Sequence, residues 1–154
     1  MPKSVKIISY EPIHGYLIVE RNTREADVKL SMAPGWENAI REWKRSGPAY
    51  TLVVDGEFIA CSGVILFGCG RGDAWMLTSM LVQTYKRIFL ISVKKYLDLV
   101  IREHGLRRVQ ATCDPERKGA MIFLEHLGFK NETPHGMKGY GSNGETMAML
   151  ARVA

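Results

Sequence analysis

Apolar and polar positions alternate along this chain in blocks whose period changes from one stretch to the next. Residues 5–8 form a short apolar run that predicts a first strand. The polar stretch that follows predicts helices. One falls over residues 25–32 and another over 36–45, where Trp36, Ala39, Ile40 and Trp43 recur at i, i+3, i+4 and i+7 before Gly47-Pro48 ends the pattern. Residues 49–54 and 57–66 read as strands on either side of Asp55-Gly56, a strong hairpin signal between apolar runs. Residues 67–73 hold Gly68, Gly70 and Gly72 and read as a flexible hairpin tip before a strand over 74–79.

The period then lengthens. Residues 86–104 predict the longest helix. Phe89, Val93, Tyr96, Leu97, Val100 and Ile101 form its apolar stripe, Lys94, Lys95, Asp98, Arg102 and Glu103 its wet side, and Gly105 its stop. A strand over 107–113 leads through Asp114-Pro115 into a helix over 116–127, read from Ala120, Phe123, Leu124 and Leu127. Pro115 suits a first helical turn, and Gly128 suits a C-cap with positive φ. Strands over 136–140 and 146–153, joined by Gly141-Ser142-Asn143-Gly144, close the pattern. No repeat or linker interrupts it, so residues 1–154 are expected to form a single α/β domain.

Composition narrows the function classes only a little. Hydrophobic residues are 46% and charged residues 24% of 154, ordinary for a globular protein. The formal charge of +5 suits a phosphorylated cofactor, an acidic partner or loose nucleic-acid contact, without choosing among them. A nucleic-acid interface would want interleaved aromatics on an open sheet or a basic recognition helix, and neither pattern stands out. No run reaches the roughly 18 apolar residues of a membrane helix. The start, Met1-Pro2-Lys3-Ser4-Val5-Lys6, has no apolar leader core, so a cytoplasmic location is expected. Cys61, Cys69 and Cys113 are odd in number and far apart, as reduced thiols would be. His14, His104, His126 and His135 are too scattered to suggest a metal site.

The order strand, two helices, three antiparallel strands, long helix, strand, helix ending at Leu127-Gly128-Phe129, then two strands, resembles the GNAT family of acetyl-CoA-dependent N-acetyltransferases from end to end. The resemblance implies an α/β fold with a mixed, mostly antiparallel sheet of six to seven strands flanked by about four helices, splayed in a V between strands 4 and 5. It also implies that the pantetheine arm of acetyl-CoA lies in that gap, pairing with backbone groups near Leu77 and Ser79. The pyrophosphate would then sit at the following helix start, held by Gln83, Lys86 and Arg87 with Thr84 as N-cap, and Arg117 would join the cofactor contacts. Lys86 and Arg87 oppose the helix dipole where they stand, a conflict that a bound anion would resolve.

Two features depart from the family pattern. Its phosphate loop is glycine-rich, whereas no glycine occurs from Met80 through His104. Its last helix often reads Asn-x-x-Ala-x-x-x-Tyr-x-x-x-Gly-Phe, whereas here Ala120 matches but Arg117 and Leu124 replace Asn and the proton-donating Tyr. Tyr85 and Cys113 are the substitutes to examine. No general base is identifiable: Glu57 reads as a solvent-facing hairpin residue, and Thr78 and Ser79 as groups that end a strand. His104 and His126 are expected to face away from the cleft, and Trp75, which could line an acceptor pocket from its central strand, is expected to lie in the core instead. The chain therefore reads either as an acetyltransferase acting on a small-molecule or protein amine, or as a catalytically degenerate relative with a binding or structural role. The combination of Trp75 to Ser79, a glycine-free helix with Arg87, Arg107 to Thr112, and the ending from Tyr140 to Val153 is also similar to small GNAT-like proteins of tailed bacteriophages, a resemblance that implies a virion-associated role.

Overall fold

The computed structural model describes residues 1–21 and 34–154, so the helix expected over 25–32 lies outside the described residues. The elements run β1 (Val5–Ser9), α1 (Pro12–Arg21), α2 (Trp36–Ser46), β2 (Ala49–Val54), β3 (Glu57–Gly68) and β4 (Arg71–Thr78). A 3-10 turn (Met80–Gln83), α3 (Lys86–Glu103), β5 (Arg108–Cys113), α4 (Lys118–His126), β6 (Lys130–Asn131) and β7 (Ala148–Val153) complete them. The strands form a 7-stranded sheet in the order β1-β2-β3-β4-β5-β7-β6. Every neighbouring pair is antiparallel except β4 and β5, which are parallel. This is the mixed sheet that the sequence predicts.

Two helical layers cover it. The apolar stripe of α3 and the inner face of α4 pack on one side, where Leu97, Val100, Val109, Leu127, Phe129 and Leu150 are buried. α1 and α2 pack on the other, over Tyr10, Ile18, Ile40, Cys61 and Leu77. Each such fully buried side chain contributes about 1.5–3 kcal/mol. The Tyr10 hydroxyl donates to the Ile40 carbonyl at 2.7 Å, tying the end of β1 to α2, and burial raises its pKa. Beneath it runs a polar chain. The Glu11 N–H donates to His14 Nδ1, which therefore carries no proton and accepts from the Thr51 hydroxyl at 2.8 Å; Cys61 donates to Thr51 in turn. Burial pushes the Cys61 thiol up to about 12 and lowers the His14 imidazole.

The boundaries differ from the sequence pattern where glycine and proline mislead. The expected tip over 67–73 shrinks to Cys69-Gly70: β3 continues to Gly68, and β4 begins at Arg71 with Gly72 buried inside the strand. Gly72 is there because a Cβ would lie 2.5 Å from the Val64 side chain, not because the chain turns. α4 begins at Lys118, so Pro115 precedes the helix, in a turn where the Asp114 carboxylate accepts the Glu116 N–H. The strand expected over 136–140 reduces to a single bridge, Met137 to Met147, and β7 pairs instead with β5 on one side and the short β6 on the other. α1 itself was not resolvable from the polar stretch that contains it.

Candidate active site

The site begins where β4 and β5 part. They pair only through Arg71↔Arg108, Gly72↔Val109 and Asp73↔Gln110. β4 then runs on to Thr78 and β5 to Cys113 with no further pairing between them. From Ala74 onward the β5-facing edge of β4 has no strand partner, and buried backbone groups seek partners. A cleft of about 760 Å³ opens there. Its walls are Ala74, Trp75, Met76 and Thr78 on one strand and Ala111, Thr112 and Cys113 on the other. Such a volume is ordinary for a small-molecule site.

One end of the cleft is cationic. Gln83 at the end of the 3-10 turn, Lys86 at the start of α3, and Arg117 and Gly119 at the start of α4 all line it. Neither helix has an acidic residue in its first turn, and neither has a side-chain N-cap. Two helix starts without side-chain caps, each carrying a cation with no ion pair among the described residues, thus line one cleft, an arrangement suited to an anion. Between the helices the Phe89 and Phe123 rings stack, centroids 4.9 Å apart, and form an apolar lining beneath the strands.

The other end is aromatic. Gly63 and Pro48 line it with Trp43 and Trp75, which stack with centroids 4.1 Å apart and planes 10° from parallel. Trp75 is thus both a core residue and a wall of the cleft, where the sequence favoured core over pocket. Gly63 makes room for it: a Cβ there would lie 2.9 Å from Trp75 Nε1 and 2.6 Å from the Pro48 carbonyl.

The sequence-derived candidates separate into two groups. Gln83, Lys86 and Arg117 meet at the cleft. The Leu77 side chain is fully buried under α1 and α2, leaving only its backbone near the splay. Ser79 is fully buried as well: its N–H donates to the Ile59 carbonyl and its hydroxyl accepts the Leu81 N–H, so both are used in ending the strand. Thr84 and Arg87 are exposed beside the cationic end; Tyr85, not Thr84, is the N-cap of α3. Of the two proposed substitutes for the missing Tyr, Tyr85 packs in the core under β2 and β3, whereas Cys113 lines the cleft. Burial raises the Cys113 thiol, only partly offset by Arg117, so it stays protonated at neutral pH. Leu124 lines the cleft without a proton to give. His126 lines it too, contrary to the expectation that it faces away.

Asp73 was missed. It is the last β4 residue paired with β5, and it shares a face of β4 with Trp75. Its Oδ1 is buried without a hydrogen bond, and burial raises the carboxyl above 3.8 against the opposing pull of Gln110 and Arg108. Arg108 is itself held by Gln110 and by Glu132. An acid directly after a glycine in a presumed hairpin tip gives no sequence signal; its meaning comes from the splay. Among the described residues no three His, Cys, Asp or Glu side chains gather as a metal would need.

A mixed sheet that splays at its parallel pair, with helices on both faces, defines the fold of GNAT-family acetyltransferases. Solved structures of that family bear this out. The chain is similar to a GNAT-family acetyltransferase from Bacillus anthracis, with a TM-score of 0.70, 14% identity and coverage of 99% of this chain and 96% of the other. It is also similar to a spermidine N-acetyltransferase chimera containing Vibrio cholerae sequence (TM-score 0.72, 10% identity, 97% and 95% covered). A third is an aminoglycoside acetyltransferase in complex with ribostamycin and coenzyme A (TM-score 0.68, 14% identity, 98% and 94% covered). No protein-family model matches the sequence, and no curated protein does. Among the described residues no helix is long and apolar enough to cross a membrane.

Proposed function

We propose that this chain is an N-acetyltransferase that takes the acetyl group from acetyl-CoA and passes it to an amine. The observation that carries this reading is the opening of β4 from β5 beyond Asp73↔Gln110, joined to a cationic cleft end at two helix starts. The unpaired edge of β4 fits an extended amide chain, which would add to it as a strand does; Leu77 contributes there through its backbone alone. Gln83, Lys86 and Arg117 would hold the phosphates, with Thr84 and Arg87 on the exposed rim and Ser79 fixing the turn that presents them. Two cationic helix starts do the work that a glycine-rich loop does elsewhere.

Bound there, acetyl-CoA supplies an activated acetyl thioester. The chain's own residues orient and deprotonate. Asp73, outside the cleft lining but on the face of β4 that carries Trp75, accepts the proton that the acceptor ammonium must lose. The amine then attacks the thioester carbonyl, the C–S bond breaks and coenzyme A leaves as the thiol with the second amine proton, while the apolar walls beyond Lys86 and Arg117 exclude water. The absence of a hydroxyl at Leu124 and of glycine from Met80 to His104 favours a second reading, a degenerate binding module.

Calorimetric titration with acetyl-CoA separates the two. Binding with a micromolar dissociation constant is expected, and Lys86→Glu combined with Arg117→Glu should weaken it at least a hundredfold, about 2.7 kcal/mol. No heat from the unaltered protein would leave the binding-module reading in its place.

A further inference from the structure

The two ends of the cleft differ in a way that bears on the acceptor. Among the described residues that line it there is no Asp or Glu, and its charged groups, Lys86 and Arg117, belong to the cationic end. The opposite end is the stacked pair Trp43–Trp75, set against Gly63 and Pro48. A polycation entering here would give up hydration at several ammonium groups with no carboxylate among the described lining residues to replace it. A flat apolar body would instead gain from stacking on an indole face, and a single ammonium can be met by a single carboxylate. The one carboxylate of β4 is Asp73, outside the lining of the cleft but two residues before Trp75 on the same face of the strand. Gly63 belongs to the same arrangement, since any side chain there would push Trp75 from its place.

We infer that the acceptor is a monoamine carrying an aromatic body, which rests on the Trp43–Trp75 wall with its nitrogen directed to the splay. That it is an acceptor rests on the acetyltransferase reading; the aromatic subsite itself does not. The cleft thus differs in selectivity from the spermidine and aminoglycoside enzymes whose fold it shares.

The test is direct binding to the full chain, with and without coenzyme A, of phenethylamine and of spermidine. Phenethylamine is expected to bind at least tenfold more tightly than spermidine. Trp43→Ala should weaken phenethylamine at least tenfold, and Trp43→Leu, which keeps apolar bulk in the core but loses the flat face, should do the same. Spermidine binding as tightly as phenethylamine, unchanged affinity in Trp43→Leu, or no binding of either amine would overturn the inference. Phenethylamine binding by a protein that ignores acetyl-CoA would overturn only the transferase reading and leave the aromatic subsite standing.

Discussion

At the scale of single residues the site turns on charges that are few and held in unfavourable places. Asp73 is the clearest case. Burial holds its carboxyl above 3.8, with Gln110 and Arg108 pulling the other way. The folded chain therefore binds that proton more tightly than the unfolded chain does. Keeping Asp73 ionised costs stability above its folded pKa, and the cost disappears as pH falls below 3.8. Asp73→Asn should accordingly leave the melting temperature at pH 7 unchanged or higher. Over the same comparison kcat/KM for acetyl transfer should fall about 100-fold, the ordinary worth of a general base. Thermal unfolding and a thiol-release assay on one preparation read both, and undiminished turnover would remove Asp73 from the mechanism. Lys86 and Arg117 were legible in the sequence because charge beside a helix start is a local signal, and Gln83 because it is a polar residue just before one. Asp73, Trp43 and Gly63 were not, since what brings them to the site is a register between strands, which no local pattern carries.

At the scale of elements the helix that ends at Gly128-Phe129 is the best-announced piece of the chain. Gly128 adopts φ +95°, which disfavours any side chain. A Cβ there would also lie 3.3 Å from Arg152 Cδ. Arg152 is what the turn protects: its guanidinium donates to the Leu127 carbonyl at 3.1 Å and pairs with Asp98 at 2.7 Å, joining β7 to both α4 and α3. Burial alone would raise the Asp98 carboxyl, but Arg152 and Lys94 hold it below its ordinary value. Gly128→Ala should therefore destabilise by about 2 kcal/mol, a drop of about 4–8 °C in Tm. An unchanged melting temperature would mean that the turn relaxes without loosening Arg152. The amphipathic helices α2 and α3 and the hairpin at Asp55-Gly56 were equally legible, because period and turn chemistry are written in adjacent residues. β6, with only Lys130 and Asn131, and the β3–β4 tip were not, because short edge pairing and glycine packed inside a strand leave no periodic trace.

At the scale of the whole molecule, a sheet that fails to close along one parallel pair leaves a gap that both helical layers overlook. α3 and α4 bring cations to one side of it, and α2 brings Trp43 to the other. The same gap is what makes the fold recognisable at sequence identities of 10–14%. The central claim is that the unpaired edge of β4 receives the extended arm of acetyl-CoA. Hydrogen–deuterium exchange with and without acetyl-CoA tests it most directly. Slowed exchange concentrated in residues 74–78 and 111–113 and at the starts of α3 and α4 is the predicted result. Protection elsewhere, with those strands exchanging as before, would contradict it.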